Sequence, residues 1–600
     1  MALQSDQKDT LVIGIDFGTT FTGVAYACVK PGTEAITPQP VTLWPAPCSD
    51  DAAFDSPKVP SRIEYTGDGH VKWGQEASDA GILWFKLLLL DEHDLQLHLR
   101  NSDHLRQARE NLETTGKDIV TVISDYLKNV WAHAIGVIAR AWGQTFVHTR
   151  PFHVIVTVPA IWQDYAIQRM RDALKKAGIL DRRPGCEDTT YEFIPEPEAA
   201  ALAAIEAHGK LPGLSPGQTF VIADLGGGTV DLISFRVKST QPHLRLEEAV
   251  EGEGALCGAT FLDQAFLTYF EKKLKNDKKK NKRLREWQKM DKEDRKRIID
   301  IEWEQRIKRK YYDGRQIQPI YLGAQGNRRP YIQLENDNVN DVFGSVYNDI
   351  SKLIHGQVEA IAKKTSNMPQ FIVLTGGFGG CEYIYRKLCQ EHEGSIEILS
   401  EGSEKAWTAV ARGAVLSGIA HISNKDLVDS HVSRYSYGWA KWENFNYWVH
   451  NLDDCEFDKL SGRCLARGQM QWIIRRGESI MTQKPHVYTY TANFEDEVGF
   501  VSFLHPVYRS SLKEPPIRLA ENEIKEEESV RQGEPADFRE HARIKITTPV
   551  PVEQLPKGGD AEHPYRMLHL QVEVNISGAS LVIKVTSGEK TIGEMVIDGL

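Results

Sequence analysis

Two short stretches of this chain combine an acid, glycines and hydroxyls at matching spacing, DFGTT at 16–20 and DLGGGTVD at 224–231. A phosphate group must be met by backbone N–H groups at close range, and only glycine lets a main chain come that near without a Cβ clash. Gly18, Gly226, Gly227 and Gly228 supply that approach, while Thr19, Thr20 and Thr229 add hydroxyl donors. The acids demand a separate account, because Asp16, Asp224 and Asp231 would repel a polyphosphate. They fit beside one if a hydrated Mg²⁺ lies between, since this ion keeps several waters and takes few protein ligands. A lone DFGT reads better as an Asx-turn or a strand-end cap. Two matching turns in one chain favour phosphate. Both turns feed a second strand and neither reads GxxxxGK[ST], so a P-loop is excluded, and no GxGxxG opens a helix.

The elements around the turns follow from hydropathy. Residues 11–27 are two apolar strands joined by the first turn, and TFVIADLGGGTVDLISFRV at 219–237 repeats the pattern about 200 residues later. Such recurrence predicts a duplicated unit whose halves face each other across a cleft. Helical spacing of three and four runs through 80–145. HVIVTVP at 153–159 is a buried strand, and a helix ending at Gly178 follows it. EFIPEPEAAALAAIEA at 192–207 reads as strand, acidic turn and helix; FIVLTGGFGGCEYIYRKL at 371–388 as strand, glycine turn and helix; AWTAVARGAVLSGIA at 406–420 as a helix. The lysine-rich run at 271–312 reads as a solvated helical surface, since its aromatics are not spaced as a stacking platform. Past about 425 the pattern turns to alternation, with Leu568, Leu570, Val572 and Val574 on one face of a strand. The acidic, proline-bearing stretch 511–541 reads as a mobile insertion.

The net charge of −11 argues against a nucleic-acid or membrane-surface protein, both of which need a basic face. No apolar run approaches the roughly 20 residues needed to cross a bilayer, and the start, MALQSDQKDT, lacks a secretion signal. The eight cysteines form no CxxC pair or Cys/His cluster, as expected of reduced thiols in the cytoplasm.

With LTGGF at 374–378, the two turns resemble the phosphate and adenosine motifs of the actin-like ATPase superfamily. In order and spacing they resemble the heat shock protein 70 branch, and VIVTVPAIWQDYAIQRMRDALKKAGI with IPEPEAAALAAI resembles its connecting segment. GGFGG in the adenosine turn is most like the divergent heat shock 70 kDa protein 12 type. The resemblance implies an α/β fold of duplicated actin-like (ribonuclease H-like) lobes around a nucleotide cleft, about 10–205 and 215–420 within residues 1–422. A smaller β-rich substrate-binding-like domain, 423–600, would follow without a helical lid. ATP or ADP with Mg²⁺ is the implied cofactor. Asp16, Asp224 and Asp231 would organise the metal and the attacking water, with Asp16 and Asp224 nearest the ion through water. Gly18, Thr19, Thr20, Gly226, Gly227, Gly228 and Thr229 would cradle phosphates. Lys86 would approach the γ-phosphate, though it also fits a lysine snorkelling from a mostly buried helix. Glu196 would stand near the metal waters. Gly376, Gly377 and Phe378 would approach the adenosine. Lys308 and Arg309 would flank the base, although surface charge is the leading reading of that pair.

Three departures fall on the adenosine side. Gly379 and Gly380 stand where the family has a basic residue, the acid before the last helix is replaced around Trp407 and Thr408, and LCGAT at 256–260 keeps only Gly258 of a glycine pair. At the domain junction, Leu427 and Val428 replace an unbroken leucine run, and the chain ends IDGL rather than in an acidic tail. Implied partners are extended or unfolded polypeptides and co-chaperones, with no nucleic acid and no membrane insertion. Two alternatives stay open: a small-molecule kinase of the same superfamily, and a nucleotide-binding scaffold with negligible turnover.

Overall fold

The computed structural model describes residues 9–598 apart from 31–35, 46–55, 68, 79, 96–99, 101, 161, 208–213, 242–243, 277–281, 291–294, 296–298, 318, 323–330, 401–402, 424, 426, 483, 497, 520–537, 561–562 and 578–579. The molecule is mixed α/β with several sheets. The strand Thr10–Phe17 is apolar and buried on both faces, as strands inside layered sheets are. It forms an antiparallel hairpin with Phe21–Val29 and a parallel pair with Phe152–Val158, which runs parallel to Thr190–Pro195. The second sheet repeats this connection. Thr219–Leu225 makes a hairpin with Val230–Ser239 and lies parallel to Phe371–Thr375, which lies parallel to Glu397–Ser400. Crossover helices return the chain each time; Ile119–Trp142 and Asp164–Lys176 serve the first sheet, Asn336–Thr365 and Glu382–Glu391 the second.

Each sheet has its own core, and a third core joins them. Val12 and Ile155 of the first sheet and Phe220 and Ile222 of the second converge on two small-residue helices, Glu196–Ala207 and Ser403–Ile422. Their closeness depends on glycine. A Cβ on Gly413 would lie 1.6 Å from the Ala199 carbonyl oxygen, and one on Gly14 would lie 2.6 Å from that of Ala411. At these points the two helices and the first strand pack backbone against backbone, not through long side chains.

Four local expectations are corrected. Glu196 begins its helix directly after Pro195, with no intervening turn. Gly376–Gly379 winds into a single helical turn before the helix Glu382–Glu391. Within 271–312, Trp287, Trp303, Ile307 and Lys308 are buried, so this run contributes an inward face to the second core. Of the stretch 511–541, Phe538 to His541 open a strand, Phe538–Thr547, while 520–537 lies outside the described residues.

The second sheet extends past residue 423. Val428–Val432 pairs with Arg245–Glu248 and with Ser479–Met481, and the Leu246 N–H donates to the Leu427 carbonyl at 2.8 Å. Two five-stranded antiparallel sheets follow, ordered 455–458, 463–474, 436–444, 502–510, 538–547, and 486–494, 564–577, 580–587, 590–598 with 557–559 beside 564–577. Trp439, Ile473 and Ile544 of one face Leu570, Val572 and Val585 of the other in a shared core, the alternation having put these residues on the inner side. A buried polar joint ties this unit to the first sheet's helix. Asp164 meets Arg509 at 3.2 Å and His541 at 2.5 Å, and Gln163 bonds both Arg509 and the Tyr435 hydroxyl.

Candidate functional site

The turn after Thr10–Phe17 is so tight that a Cβ on Gly18 would fall 2.4 Å from the Phe21 carbonyl oxygen. Ser61 braces it, donating from its hydroxyl to the Gly18 carbonyl at 2.7 Å and from its N–H to that of Thr20 at 2.8 Å. The second turn is latched by residues 258–260. The N–H groups of Gly258, Ala259 and Thr260 donate to the carbonyls of Gly228, Gly226 and Gly227 at 3.2, 3.1 and 2.9 Å. The turns meet face to face: a Cβ on Gly227 would lie 2.1 Å from Thr20 Oγ1, and one on Gly228 3.2 Å from the Thr19 side chain.

Between them opens a cavity of about 310 Å³. It is lined by Asp16, Gly18, Thr19, Thr20, Lys86, Glu196, Asp224, Gly226, Gly227, Gly228, Thr229, Lys308, Arg309, Gly376, Gly377 and Phe378, all named from the sequence. Asp231 and Gly258 do not line it. Asp231 is buried opposite Asp224 in the hairpin register, and Gly258 packs beneath the second turn.

One end of the cavity is an acid cluster. Asp16, Glu196, Asp224 and Asp231 are all buried, with two lysines among them. Lys86 Nζ lies 2.5 Å from Glu196 Oε1, between the rings of Phe17 and Trp162 at 5.8 and 5.2 Å. It is buried and paired, so the snorkelling alternative for Lys86 is corrected. Lys58 Nζ lies 2.5 Å from Asp16 Oδ2. Burial, then the charges of Glu196, Asp231 and Asp16, hold the Asp224 carboxyl well above its ordinary range. Burial likewise raises Glu196, against the pull of Lys86. Asp231 is pushed up to about 7 by burial and by Glu196, with the Thr229 hydroxyl opposing. Neither of its carboxylate oxygens finds a well-directed hydrogen bond. Acids crowded to this degree are short of positive charge. Gly376, at φ +77°, keeps the space open, since its Cβ would fall 2.4 Å from Asp224 Oδ1.

The other end is aromatic and basic. Lys308 is buried and bonds Asp263 at 2.8 Å and Glu304 at 2.7 Å, so the surface-charge reading of it is corrected. Burial opposes its charge, but the two carboxylates outweigh this and hold its ammonium above the usual value. Arg309 is half-exposed, its guanidinium 5.8 Å from the centre of the Trp407 ring. Phe21 meets Trp407 edge-on at 5.4 Å.

Sequence reasoning missed Phe21, Lys58, Asp263 and Glu304 and named Trp407 and the 256–260 stretch only as departures, though Trp407 and Thr260 also stand on the cavity wall. A usable signal existed for one group only. Trp303, Ile307 and Tyr311 recur every fourth residue, marking an inward face beside Glu304 and Lys308.

Among the described residues no cluster of three His, Cys, Asp or Glu side chains is placed to hold a metal directly. The donor set suits an ion held through water and phosphate oxygens, and the under-compensated acids would take its charge. The glycine cradle, too close for any Cβ, suits a phosphate.

No family model matches the chain. It is 24% identical over 320 residues to heat shock 70 kDa protein 12B of Homo sapiens, covering 43% of this chain and 44% of that protein. It is 25% identical over 431 residues to chaperone protein DnaK of Thermotoga petrophila, covering 70% and 62% respectively. A chaperone protein HscA homolog of Mannheimia succiniciproducens is 28% identical over 251 residues, covering 39% and 34%. The chain therefore spans less than two thirds of the length of each of these relatives. The chain is similar to heat shock 70 proteins, with the 12B type among its relatives, as its motifs implied.

Proposed function

We propose that the chain is a magnesium-dependent ATPase of the heat shock 70 kind, its duplicated lobes closing on a nucleoside triphosphate. One observation carries the reading: two matching acid–glycine–threonine turns face each other across a single cavity with Asp16 and Asp224 in its wall. Asp16 and Asp224 would hold magnesium through its waters, and the ion would supply charge neutralisation on the phosphoryl oxygens. Thr19, Thr20 and the Gly226–Thr229 turn cradle the phosphates. Lys86, bonded to Glu196 at 2.5 Å, would meet the terminal phosphoryl group. Glu196 and Asp224, both in the cavity wall, would orient the attacking water. No covalent intermediate is needed; positioning and charge stabilisation suffice for this chemistry.

The base would rest near Arg309, Gly376, Gly377, Phe378 and Trp407. The two sheets beyond residue 436 provide edges to which an extended polypeptide could add, which supports a chaperone-like role with client or co-chaperone partners. No helix among the described residues is long and apolar enough to cross a membrane. The free cysteines Cys28, Cys186, Cys257, Cys381, Cys389, Cys455 and Cys464 suit a reducing compartment such as the cytoplasm.

Calorimetric titration with ATP and ADP, with and without Mg²⁺, followed by single-turnover hydrolysis, tests the reading. Asp224→Ala is expected to abolish magnesium-dependent turnover, and a wild-type rate in that variant refutes the assignment. ADP formation that needs an added sugar or polyol, with the phosphoryl group recovered on that acceptor, would favour a kinase. Tight binding without turnover would favour a scaffold, which the pairing of Asp16 with Lys58 and the aromatic adenosine end support as the second reading.

A further inference from the structure

The proposed ATPase mechanism leaves Lys58 without a role, yet it is the residue nearest Asp16. Its strand, Lys58–Pro60, runs antiparallel to Phe21–Val29 with Lys58 opposite Gly23. A Cβ at Gly23 would press on the Lys58 stem at 3.1 to 3.4 Å, so glycine there makes room for this side chain to cross the sheet surface. The Ser56 hydroxyl donates to the Lys58 carbonyl at 2.7 Å and fixes the backbone. The stem is thereby laid along the hairpin, and the ammonium arrives at 2.5 Å from Asp16 Oδ2 with the side chain only 9% exposed.

The charges around it set the need. The cavity wall at this end carries Asp16, Glu196 and Asp224 against Lys58 and Lys86, with Asp231 buried opposite Asp224 in the hairpin. Lys86 is committed to Glu196, leaving Lys58 as the cation opposed to Asp16. Its positive charge also favours the ionised forms of Glu196 and Asp224.

We propose that Lys58 is a resident counter-cation of the phosphate site, neutralising Asp16 so that nucleotide is retained with little dependence on a divalent ion. The inference rests on the nucleotide reading above and adds to it a specific property of this chain. Hydrolysis would still draw on magnesium, whereas retention of nucleotide would draw on Lys58. Asp16 thus has two alternative partners, and nucleotide occupancy becomes separable from metal supply.

The test is calorimetric titration of ADP into wild type, Lys58→Met and Lys58→Arg, in excess magnesium chloride and in excess EDTA. Wild type is expected to lose less than about tenfold in affinity when the metal is removed, and Lys58→Arg to behave alike, because both keep the charge-assisted bond. Lys58→Met, similar in length but neutral, is expected to lose about a hundredfold under the same change. Equal metal dependence in wild type and Lys58→Met overturns the inference. So does a wild type that binds with magnesium and loses about a hundredfold or more in EDTA, a result that stands even if Lys58→Met fails to fold. Absence of ADP binding to wild type under both conditions would instead bring down the nucleotide reading itself, and this inference with it.

Discussion

Replacing Asp231 by asparagine should make the ligand-free protein more stable while impairing its chemistry. The Asp231 carboxyl is buried opposite Asp224 in the hairpin and pushed from 3.8 to about 7 by burial and by Glu196. Between those values the folded chain holds a proton there that the unfolded chain has released. Stability therefore falls as pH rises through the window from about 4 to about 7, and levels off above it. At about 1.4 kcal/mol per pH unit the full penalty above pH 7 is roughly 4 kcal/mol. Asp231 shares its proton field with Glu196 and Asp224, so about 1–3 kcal/mol is the portion one substitution should recover. Asparagine keeps the shape and removes the charge. The assay is the urea midpoint by tryptophan fluorescence in EDTA, for both proteins, from about pH 5 to about pH 8. The two curves should lie closest at the acid end, draw apart as pH rises to about 7 and keep a constant gap above it, with Asp231→Asn the more stable. Parallel curves, or a variant weaker at every pH, would refute the charge argument. Lower turnover in the stabilised variant would mark the acids as retained for function at a cost in stability.

Gly227→Ala would place a methyl 2.1 Å from Thr20 Oγ1 and wedge the two turns apart. Nucleotide affinity by calorimetry should drop at least about tenfold while far-ultraviolet circular dichroism stays unchanged, since the strands on either side are not crowded by the change. At the joint between the first sheet's helix and the β-rich unit, Arg509→Met removes the 3.2 Å partner of Asp164, the 2.8 Å bond to Gln163 and the stacking on Tyr435 at 4.2 Å. With His541 still 2.5 Å from Asp164, the loss should loosen the joint by about 1–3 kcal/mol. Scanning calorimetry should then show a separate, earlier transition for one unit, and a single unshifted transition would argue against this cluster as the tie.

The two glycine turns that line the cavity were legible because their signal is local. Asp16 with Gly18 to Thr20, and Asp224 with Gly226 to Asp231, each sit within one turn, where residue type and spacing are the structure. The apolar runs around them could form only buried strands, and the alternation at Leu568 to Val574 could present only one greasy face. What did not show was long-range. Lys58 reaches Asp16 across 42 residues, Lys308 reaches Asp263 across 45, and Arg509 reaches Asp164 across 345. A single chain read along its length carries no signal for such pairs, because a lysine destined for burial is composed like any other.

The lysine-rich run shows how burial overrides composition. Residues Ile299–Lys308 form a π-helix, in which each turn takes in more residues than an α-helical turn. Trp303 stacks flat on Phe266 at 3.8 Å and donates its indole N–H to Asp263, so the helix is anchored by the aromatic ring, not by its charges. With Trp303 fixed inward, Ile307 follows on the same face and Lys308 is carried into the cavity wall beside it. A buried ammonium survives only where acids meet it, and Asp263 and Glu304 do so at 2.8 and 2.7 Å. The same logic places Lys58 against Asp16 and Lys86 against Glu196. The cavity is therefore defined less by its glycines, which merely leave it open, than by three lysines that the packing of neighbouring residues forces inward onto acids waiting there.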